Sequence, residues 1–530
     1  MMRKKNLGLL ASAALVMFGA VACFAAPADA SASPVTPKTM PRVGTIDPRF
    51  QSYNIEMVEV TGGRFWRPYA SKAEVKQPEA NQPSGMDPSL FEYRQPINLY
   101  NARLRKLAAA LGPVYVRVSG TWANTTFFQN SDDPAPNTPP AGFKSVLTRQ
   151  QWKGVVDFAN AVNAKIVTSV AVSPGTRNAE GVWTPDQAQQ IFAYTKSIGG
   201  SIAAAEFMNE PTMPETGGAP KGYDAAAFGR DIVAFRAFAK HDAPGMLVLG
   251  PGGVGEGSAL ASMAIFTGIM KTEDILSVTG PAFDGFSYHT YGGVSARCKS
   301  VGLAATTTAE AALSDEWLSR GEKSEQFYGA LRDRFEPGKP MWNTETAQTA
   351  CGGDRWASTF LDSFRYLNQL GSLAKRGVQV HMHNTLAASD YGLLDEKTYE
   401  PRPNYWAALL WSKFMGTTVL DPGASPASSL HLYAQCLPNH PGGVTLLAIN
   451  ASKDEAQSLG IATAAERYTL TAKDMMDKQV ELNGLELKLG ADDALPELKG
   501  EAPHSGKIVF APASITFLAL PDAHNPSCQQ

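Results

Sequence analysis

Two carboxylates, each near the end of an apolar, strand-like run, have the types and setting for hydrolytic chemistry. One ends Ala203-Ala204-Ala205-Glu206-Phe207-Met208-Asn209-Glu210-Pro211, and the other lies in Met341-Trp342-Asn343-Thr344-Glu345-Thr346. Two carboxyl groups facing each other across a sugar are the minimum equipment for breaking a glycosidic bond. One protonates the leaving oxygen, and the other attacks the anomeric carbon or activates water. Glu210 suits the acid, because a pocket mouth can keep a carboxyl protonated. Asn209 beside it offers an amide to a substrate hydroxyl. Either motif alone reads as weakly as a loop-capping Glu, whereas the pair is much more specific. A third run, Phe286-Ser287-Tyr288-His289-Thr290-Tyr291-Gly292, brings Tyr291, whose hydroxyl can bond the Glu345 carboxylate. His289 reads more readily as structural than as catalytic. Glu206, four residues before Glu210 on what reads as one strand, shares its face and is expected to be a buried, charge-paired support. His381 and His383 lie two apart and so point to one side of a strand. No third ligand has convincing spacing, so they read as pocket or structural groups, and no metal or cofactor is expected.

These residues need a scaffold that gathers strand ends. From about Tyr53 to Met415, apolar runs alternate with helical periodicity. The runs are Tyr53–Val60, Val114–Val118, Lys165–Val172, Ile202–Met208, Met246–Gly250, Phe286–His289, Pro340–Thr344 and Val378–His383. Helical patterns fall at Leu99–Leu111, Thr148–Val162, Pro185–Ser197, Trp356–Leu370 and Tyr405–Met415, with Thr148 and Thr184 as N-cap candidates. Eight strands alternating with helices predict an α/β fold, a (β/α)₈ TIM barrel over residues 51–420, with catalytic groups at the carboxyl ends of its strands. The fourth and seventh runs lie across the barrel from each other, so Glu210 and Glu345 can flank a ring. After Asp421 the pattern turns all-β, and residues 421–530 predict a β-sandwich domain. Its expected strands are Leu430–Cys436, Val444–Ile449, Arg467–Ala472, Lys478–Leu482, Lys507–Phe510 and Ser514–Leu520.

The chain has 530 residues, is 44% hydrophobic and 18% charged, and carries 47 Lys plus Arg against 50 Asp plus Glu. Such a chain can bury large cores, and a net charge of −3 does not suit a global nucleic-acid binder. Arg3, Lys4 and Lys5 precede an apolar stretch from Leu7 to Phe24, and Ala28-Asp29-Ala30 is a small-x-small site. Residues 1–30 therefore read as a signal peptide, and the protein as secreted or periplasmic. Ala20-Val21-Ala22-Cys23 faintly resembles a lipid-attachment box without its usual Leu, so a membrane link is expected only if Cys23 is lipidated. Without Cys23 four cysteines remain, Cys298, Cys351, Cys436 and Cys528, which allow three pairings.

Taken in order, these residues resemble glycoside hydrolase family 79, which contains β-glucuronidases, heparanases and the leech hyaluronidase. The resemblance runs over almost the whole mature chain. It is carried by Thr45-Ile46-Asp47-Pro48, Ser52-Tyr53-Asn54-Ile55-Glu56, Tyr115-Val116-Arg117-Val118-Ser119-Gly120-Thr121-Trp122-Ala123-Asn124 and the Asn209-Glu210-Pro211 and Glu345 motifs. It continues through Tyr391-Gly392-Leu393-Leu394-Asp395, Pro403-Asn404-Tyr405-Trp406, Leu432-Tyr433-Ala434-Gln435-Cys436, Leu482-Asn483-Gly484 and Cys528.

The resemblance implies a retaining β-glucuronidase with Glu210 as acid/base and Glu345 as nucleophile. It implies sugar contacts from Glu56 and Thr121, and Arg117 near the nucleophile. Tyr391, with the backbone of Ser389, Asp390, Gly352 and Gly353, is implied for the uronate carboxylate. No Arg or Lys stands beside Tyr391 in the sequence, so neutral donors are expected there. The resemblance also implies that a strand within residues 31–50, after a linker, completes the β-domain, and that Cys436 pairs with Cys528. Cys298 and Cys351 follow neighbouring strands and form the second expected pair.

There are departures from the family. Val167–Pro174 holds no lysine of the kind heparanases use for sulfated chains, and Ser119 replaces a glycine before Gly120. The excised linker of vertebrate heparanase has no counterpart, so a single chain without proteolytic activation is expected; a monomer is expected as well. The substrate expected is a glucuronate-containing oligo- or polysaccharide. An endo-acting enzyme of the heparanase or hyaluronidase type is the alternative. A non-catalytic glycan-binding barrel is a third reading, which the presence of both carboxylates disfavours.

Overall fold

In a computed structural model, residues 35–70, 87–257, 269–301 and 307–529 are described. The expected signal peptide and Cys23 lie outside them. Eight parallel strands close into a barrel: β1 (Gln51–Glu56), β2 (Val114–Ser119), β3 (Ala164–Ser169), β4 (Ile202–Glu206), β5 (Leu247–Gly253), β6 (Gly285–Tyr291), β7 (Met341–Ala347) and β8 (Val380–His383). Each pairs with the next in sequence, and His381 of β8 meets Gln51 of β1 to close the ring. Their residues are almost continuously buried, as expected of parallel strands covered on both faces.

The strand period of two divides each strand between lumen and helix layer. Tyr115, Val167, Ala204, Leu249, Trp342, Val380 and Met382 form a small apolar core of their own inside the barrel. This plug fills the floor, so polar side chains one layer higher have only the mouth to face. His381 and His383 alternate with Val380 and Met382 and therefore point outward. His381 packs near Phe50 and Tyr366, and the His383 ring nitrogen Nε2 lies 2.8 Å from the Tyr391 carbonyl. The pair belongs to the helix–strand packing, so of the two expected roles, pocket or structural, it has the structural one.

The helices follow their local signals with shifted ends. Thr148 caps Arg149–Ala161 in a capping box with Gln151. Thr184 does not cap Asp186–Ser197: Pro185 takes the N-cap position and the Thr184 hydroxyl turns to the Thr176 carbonyl. The helix expected at Trp356–Leu370 runs Phe360–Lys375, because residues 355–358 form a turn in which Ser358 takes a left-handed φ of 51°.

Apart from two short two-stranded ribbons, Gly63–Trp66 with Phe91–Arg94 and Thr126–Gln129 with Ser145–Thr148, the remaining strands form a nine-stranded, mainly antiparallel sheet. The strand Arg42–Thr45 joins its edge against Thr418–Leu420. Leu430–Cys436 and Ser514–Leu520 coincide with the sequence reading. Gln457–Thr471 is far longer than expected because Gly460 and three alanines hide the β-pattern of its first half. Bulged near Ile461 and Ala465, it pairs with both Glu501–Phe510 and Ser514–Leu520 and curls the sheet around a second apolar core. The central strands bury both faces. Leu446 and Leu518 enter that core, while Leu447, Ile449 and Phe517 join the core shared with the barrel's helices. Disulfides join Cys436 to Cys528 and Cys298 to Cys351.

Candidate active site

The site rests on Arg117, which β2 points into the lumen just above the apolar plug and which is fully buried. A buried guanidinium must spend its donors on acceptors. Its Nε and Nη2 bond Glu206 Oε2 at 3.0 and 2.8 Å, and Nη1 bonds Glu345 Oε2 at 2.8 Å. Nη2 also reaches Asn209 Oδ1 at 2.8 Å. Burial pushes Glu206 up, but Arg117 above all holds its carboxyl below the usual range. Glu206 is therefore the buried counter-charge that keeps Arg117 in place. A guanidinium can only donate, so the Asn209 oxygen must face it, and the Asn209 NH₂ is the end left for a ligand.

Glu345 owes its position to a β-bulge. Trp342 faces the lumen, so strict alternation would send Glu345 outward. Tyr288 pairs with Asn343, but His289 pairs with Glu345, leaving Thr344 as an extra residue. The bulge lets both Thr344 and Glu345 face in: Thr344 Oγ1 donates to Glu206 Oε1 at 2.8 Å. Tyr291 donates to Glu345 Oε1 at 2.6 Å, so each oxygen of Glu345 has its own donor.

Glu210 is not on a strand. β4 ends at Glu206, and Glu210 sits in the turn beyond it with φ 49°, a left-handed conformation uncommon outside glycine. The turn, rather than strand alternation, returns Glu210 to the side of Glu206. Asn124 braces it, giving Nδ2 to the Asn209 carbonyl and accepting the Asn209 N–H on Oδ1, both at 2.9 Å. Glu210 Oε1 lies 3.1 Å from His289 Nδ1. Burial pushes the Glu210 carboxyl up to about 7, with Arg117 pulling down and Glu206 pushing up. One oxygen each of Glu210 and Glu345 and one nitrogen of His289 lie within 4.8 Å of one another. Such closeness suits direct attack by one carboxylate, since a pair that must admit water between them stands about 6.5–9.5 Å apart.

Glu56 closes β1 beside this pair. Burial, with Glu345 nearby, pushes its carboxyl well above the ordinary range. Its Oε2 presses on Gly120, where an added Cβ would stand 1.5 Å away. Thr121 follows in the 3₁₀ turn Thr121–Thr125, half-buried. Across the pocket, Asn384 at the end of β8 donates Nδ2 to the hydroxyls of Tyr291 and Tyr391 at 3.2 and 3.3 Å. Sequence reading missed Asn384 and Asn124, although Asn384 carried a signal in following the last barrel strand directly.

The loop around Tyr391 differs from expectation. The N–H groups of Ser389, Asp390 and Gly353 go to Glu396 Oε2, the Gly352 carbonyl and the Thr349 carbonyl, at 3.2, 3.1 and 3.3 Å. They are spent on holding the loop, so Tyr391 carries more of the expected donor role. Gly352 and Gly353 have φ 80° and 85°, and a Cβ on Gly352 would meet Trp66 at 2.5 Å. A cation does stand here. Arg297 pairs with Asp390, donates to the Gly353 carbonyl at 3.1 Å, and stacks on Tyr69 with its guanidinium carbon 4.2 Å from the ring centre. It arrives from the loop after β6, nearly a hundred residues before Tyr391, so sequence neighbourhood could not reveal it. The Cys298–Cys351 disulfide ties that loop to the glycine turn.

No protein-family model matches the chain. Heparanase-like protein 1 of Arabidopsis thaliana is 24% identical over 501 residues, covering 82% of this chain and 87% of that protein. Hyaluronoglucuronidase of Hirudo nipponia is 25% identical over 482 residues, covering 82% and 92%. The crystal structure of a 4-O-α-L-rhamnosyl-β-D-glucuronidase from Fusarium oxysporum superposes with a TM-score of 0.62 at 11% identity. It covers 92% of this chain and 99% of its own, a likeness of fold.

Proposed function

The chain belongs to the heparanase-like glycoside hydrolases of family 79, and on that premise we propose that it is a retaining β-glucuronidase acting on uronate-containing glycans. The observation that carries this reading is the Glu210–Glu345 pair, two carboxyl groups within 4.8 Å through their nearest oxygens and held by unlike surroundings. Glu345, braced by Arg117 and Tyr291, attacks the anomeric carbon. Glu210, whose burial favours the protonated form, gives its proton to the leaving oxygen. A covalent glycosyl–Glu345 ester forms. Water then attacks it, losing a proton to the Glu210 carboxylate.

Uronate preference fits Tyr391. Its hydroxyl accepts from Asn384, so its own hydrogen is free for an anionic acceptor. Arg297 adds positive charge behind the same loop. Thr121, Glu56 and the Asn209 NH₂ serve the sugar hydroxyls. Among the described residues no helix is long and apolar enough to cross a membrane, and we take the protein to be exported as a monomer.

The test is hydrolysis of an aryl β-D-glucuronide followed by proton NMR. A retaining β-glucuronidase releases β-glucuronic acid first, which then mutarotates. Release of the α-anomer first, or no turnover, overturns the reading. Product sizes from hyaluronan and heparan sulfate digests separate terminal from internal cleavage.

A further inference from the structure

His289 is completely buried among the catalytic groups, yet the mechanism above gives it no proton to move. Its two ring nitrogens face different partners. Nε2 lies 3.3 Å from Arg117 Nη2. A guanidinium only donates, and both Nη2 hydrogens already have closer acceptors in Glu206 and Asn209, so a hydrogen on Nε2 would point at a cationic donor with no acceptor in reach, and Nε2 must be the bare nitrogen. The carboxylate oxygen on that side, Glu206 Oε1, is 3.9 Å away, beyond hydrogen-bond reach. Burial, with Arg117 adding to it against the pull of Glu345 and Glu206, holds the ring below its ordinary range. The ring is therefore neutral, and its one proton sits on Nδ1. That nitrogen is 3.1 Å from Glu210 Oε1 and 3.8 Å from Glu345 Oε2.

We infer that His289 is a positioning residue which, through a single Nδ1–H donor, fixes the oxygen of Glu210 that carries the catalytic proton. Glu210 Oε1 accepts from His289, so the acidic hydrogen resides on Oε2, which has no protein hydrogen bond among the described residues. The inference rests on Glu210 being the acid/base of the proposed reaction. In the first step the Oε2 hydrogen goes to the glycosidic oxygen as its bond to the anomeric carbon breaks and Glu345 bonds that carbon. The Glu210 anion that remains keeps the Nδ1–H bond. In the second step water bonds the anomeric carbon, its proton goes to Oε2, and the bond to Glu345 breaks. His289 donates a hydrogen bond throughout and never transfers its proton, because Arg117 occupies Nε2.

The other charged and titratable groups facing Glu210 are Arg117 from β2, Glu206 from β4, Tyr291 from β6, Glu345 from β7 and Tyr328 from the helix Arg320–Phe335. None of them is altered in the test. Asparagine places its amide nitrogen where histidine has Nδ1, and glutamine reaches only to Nε2. His289→Gln should move the basic limb of kcat/KM up by on the order of one pH unit, the worth of one lost hydrogen bond to a carboxylate. His289→Asn should keep the limb where the wild type has it, at reduced rate. Equal shifts in both variants would leave His289 a space-filler and overturn the inference. Independently, ¹⁵N NMR of the histidine-labelled wild type should show a protonated Nδ1 and a bare Nε2 for this ring at neutral pH. An Nε2–H tautomer or an imidazolium overturns the assignment without any activity measurement. The stated tautomer in a protein without glucuronidase activity refutes the proposed function instead, so the two failures are distinct.

Discussion

At Glu210, burial and Glu206 favour the protonated carboxyl while Arg117 opposes them, and the group ends at about 7. In the proposed reaction the acid form is the active form, so kcat/KM should fall as pH rises through about 7. A pH–rate profile flat to pH 9 would remove Glu210 from the acid role. Glu345→Gln should abolish turnover, since among the described residues no other carboxylate has both Arg117 and Tyr291 on its oxygens. Glu210→Gln should divide substrates by leaving group. Glucuronides of poor leaving groups should lose about 10²–10⁴-fold, while activated aryl glucuronides, which need little protonation, form the covalent ester nearly as before. Tyr391→Phe removes a donor and leaves the carboxylate pair untouched. Its glucuronide-over-glucoside preference should fall roughly tenfold or more, the worth of one hydrogen bond to an anion. Unchanged discrimination with lost turnover would give Tyr391 a different task.

The barrel elements act on the site through backbone geometry as much as through side chains. The bulge at Thr344 aims Glu345, and the left-handed turn at Glu210 aims its carboxyl group. The end of β2 is equally constrained. Gly120 has φ 88°, and a Cβ there would stand 1.5 Å from Glu56 Oε2. Gly120→Ala must therefore strain the backbone and expel Glu56, a side chain that cannot retreat into the packed barrel. The variant should lose most activity together with about 1–3 kcal/mol of stability, read from urea unfolding against a glucuronide assay. Wild-type values for both would mean that Glu56 moves aside freely.

At the scale of the whole molecule, the barrel and the curled sheet share one apolar core, and the outward face of β8 carries two histidines. Burial pushes His381 down to about 3 and His383 down to about 4. Unfolded, each titrates near 6.5. Below that pH the unfolded chain binds more protons, so each ring costs stability as pH falls, by up to about 1.4 kcal/mol per pH unit. Glu59 and Glu210, both raised to about 7, work in the opposite sense. The wild-type slope is therefore a poor gauge, and a variant difference is needed. Both nitrogens of His381 lack partners among the described residues, so His381→Phe removes only the titration and a little shape. Its stability relative to wild type should rise steadily from pH 6.5 toward pH 4.5, measured as urea midpoints. A constant difference would show that His381 does not titrate on unfolding.

The sequence alone determined the barrel, because alternation of apolar runs with helical periodicity is a local signal repeated eight times. It also singled out the two glutamates that the fold brings together, because Asn-Glu-Pro and Trp-Asn-Thr-Glu stand at strand ends, where barrel chemistry gathers. Part of the site followed from type and placement, Tyr291 beside Glu345 and Glu206 as a paired support, while Arg117 near Glu345 followed from the family resemblance. Only the tertiary structure decided which way those groups face. A bulge adds a residue on one strand relative to its neighbour, and neighbouring strands lie dozens of residues apart, so no window of sequence contains it. For the same reason Glu210, read as part of a strand, belongs to a turn, and His381 and His383 face the helices. Arg297 reaches the Tyr391 loop from the end of β6, and Asn124 braces Glu210 from the end of β2, contacts made by ring closure. His289 was read as more structural than catalytic, and its tautomer is set by the two charges on either side of it, Arg117 from β2 and Glu210 from beyond β4, which meet only when the barrel closes.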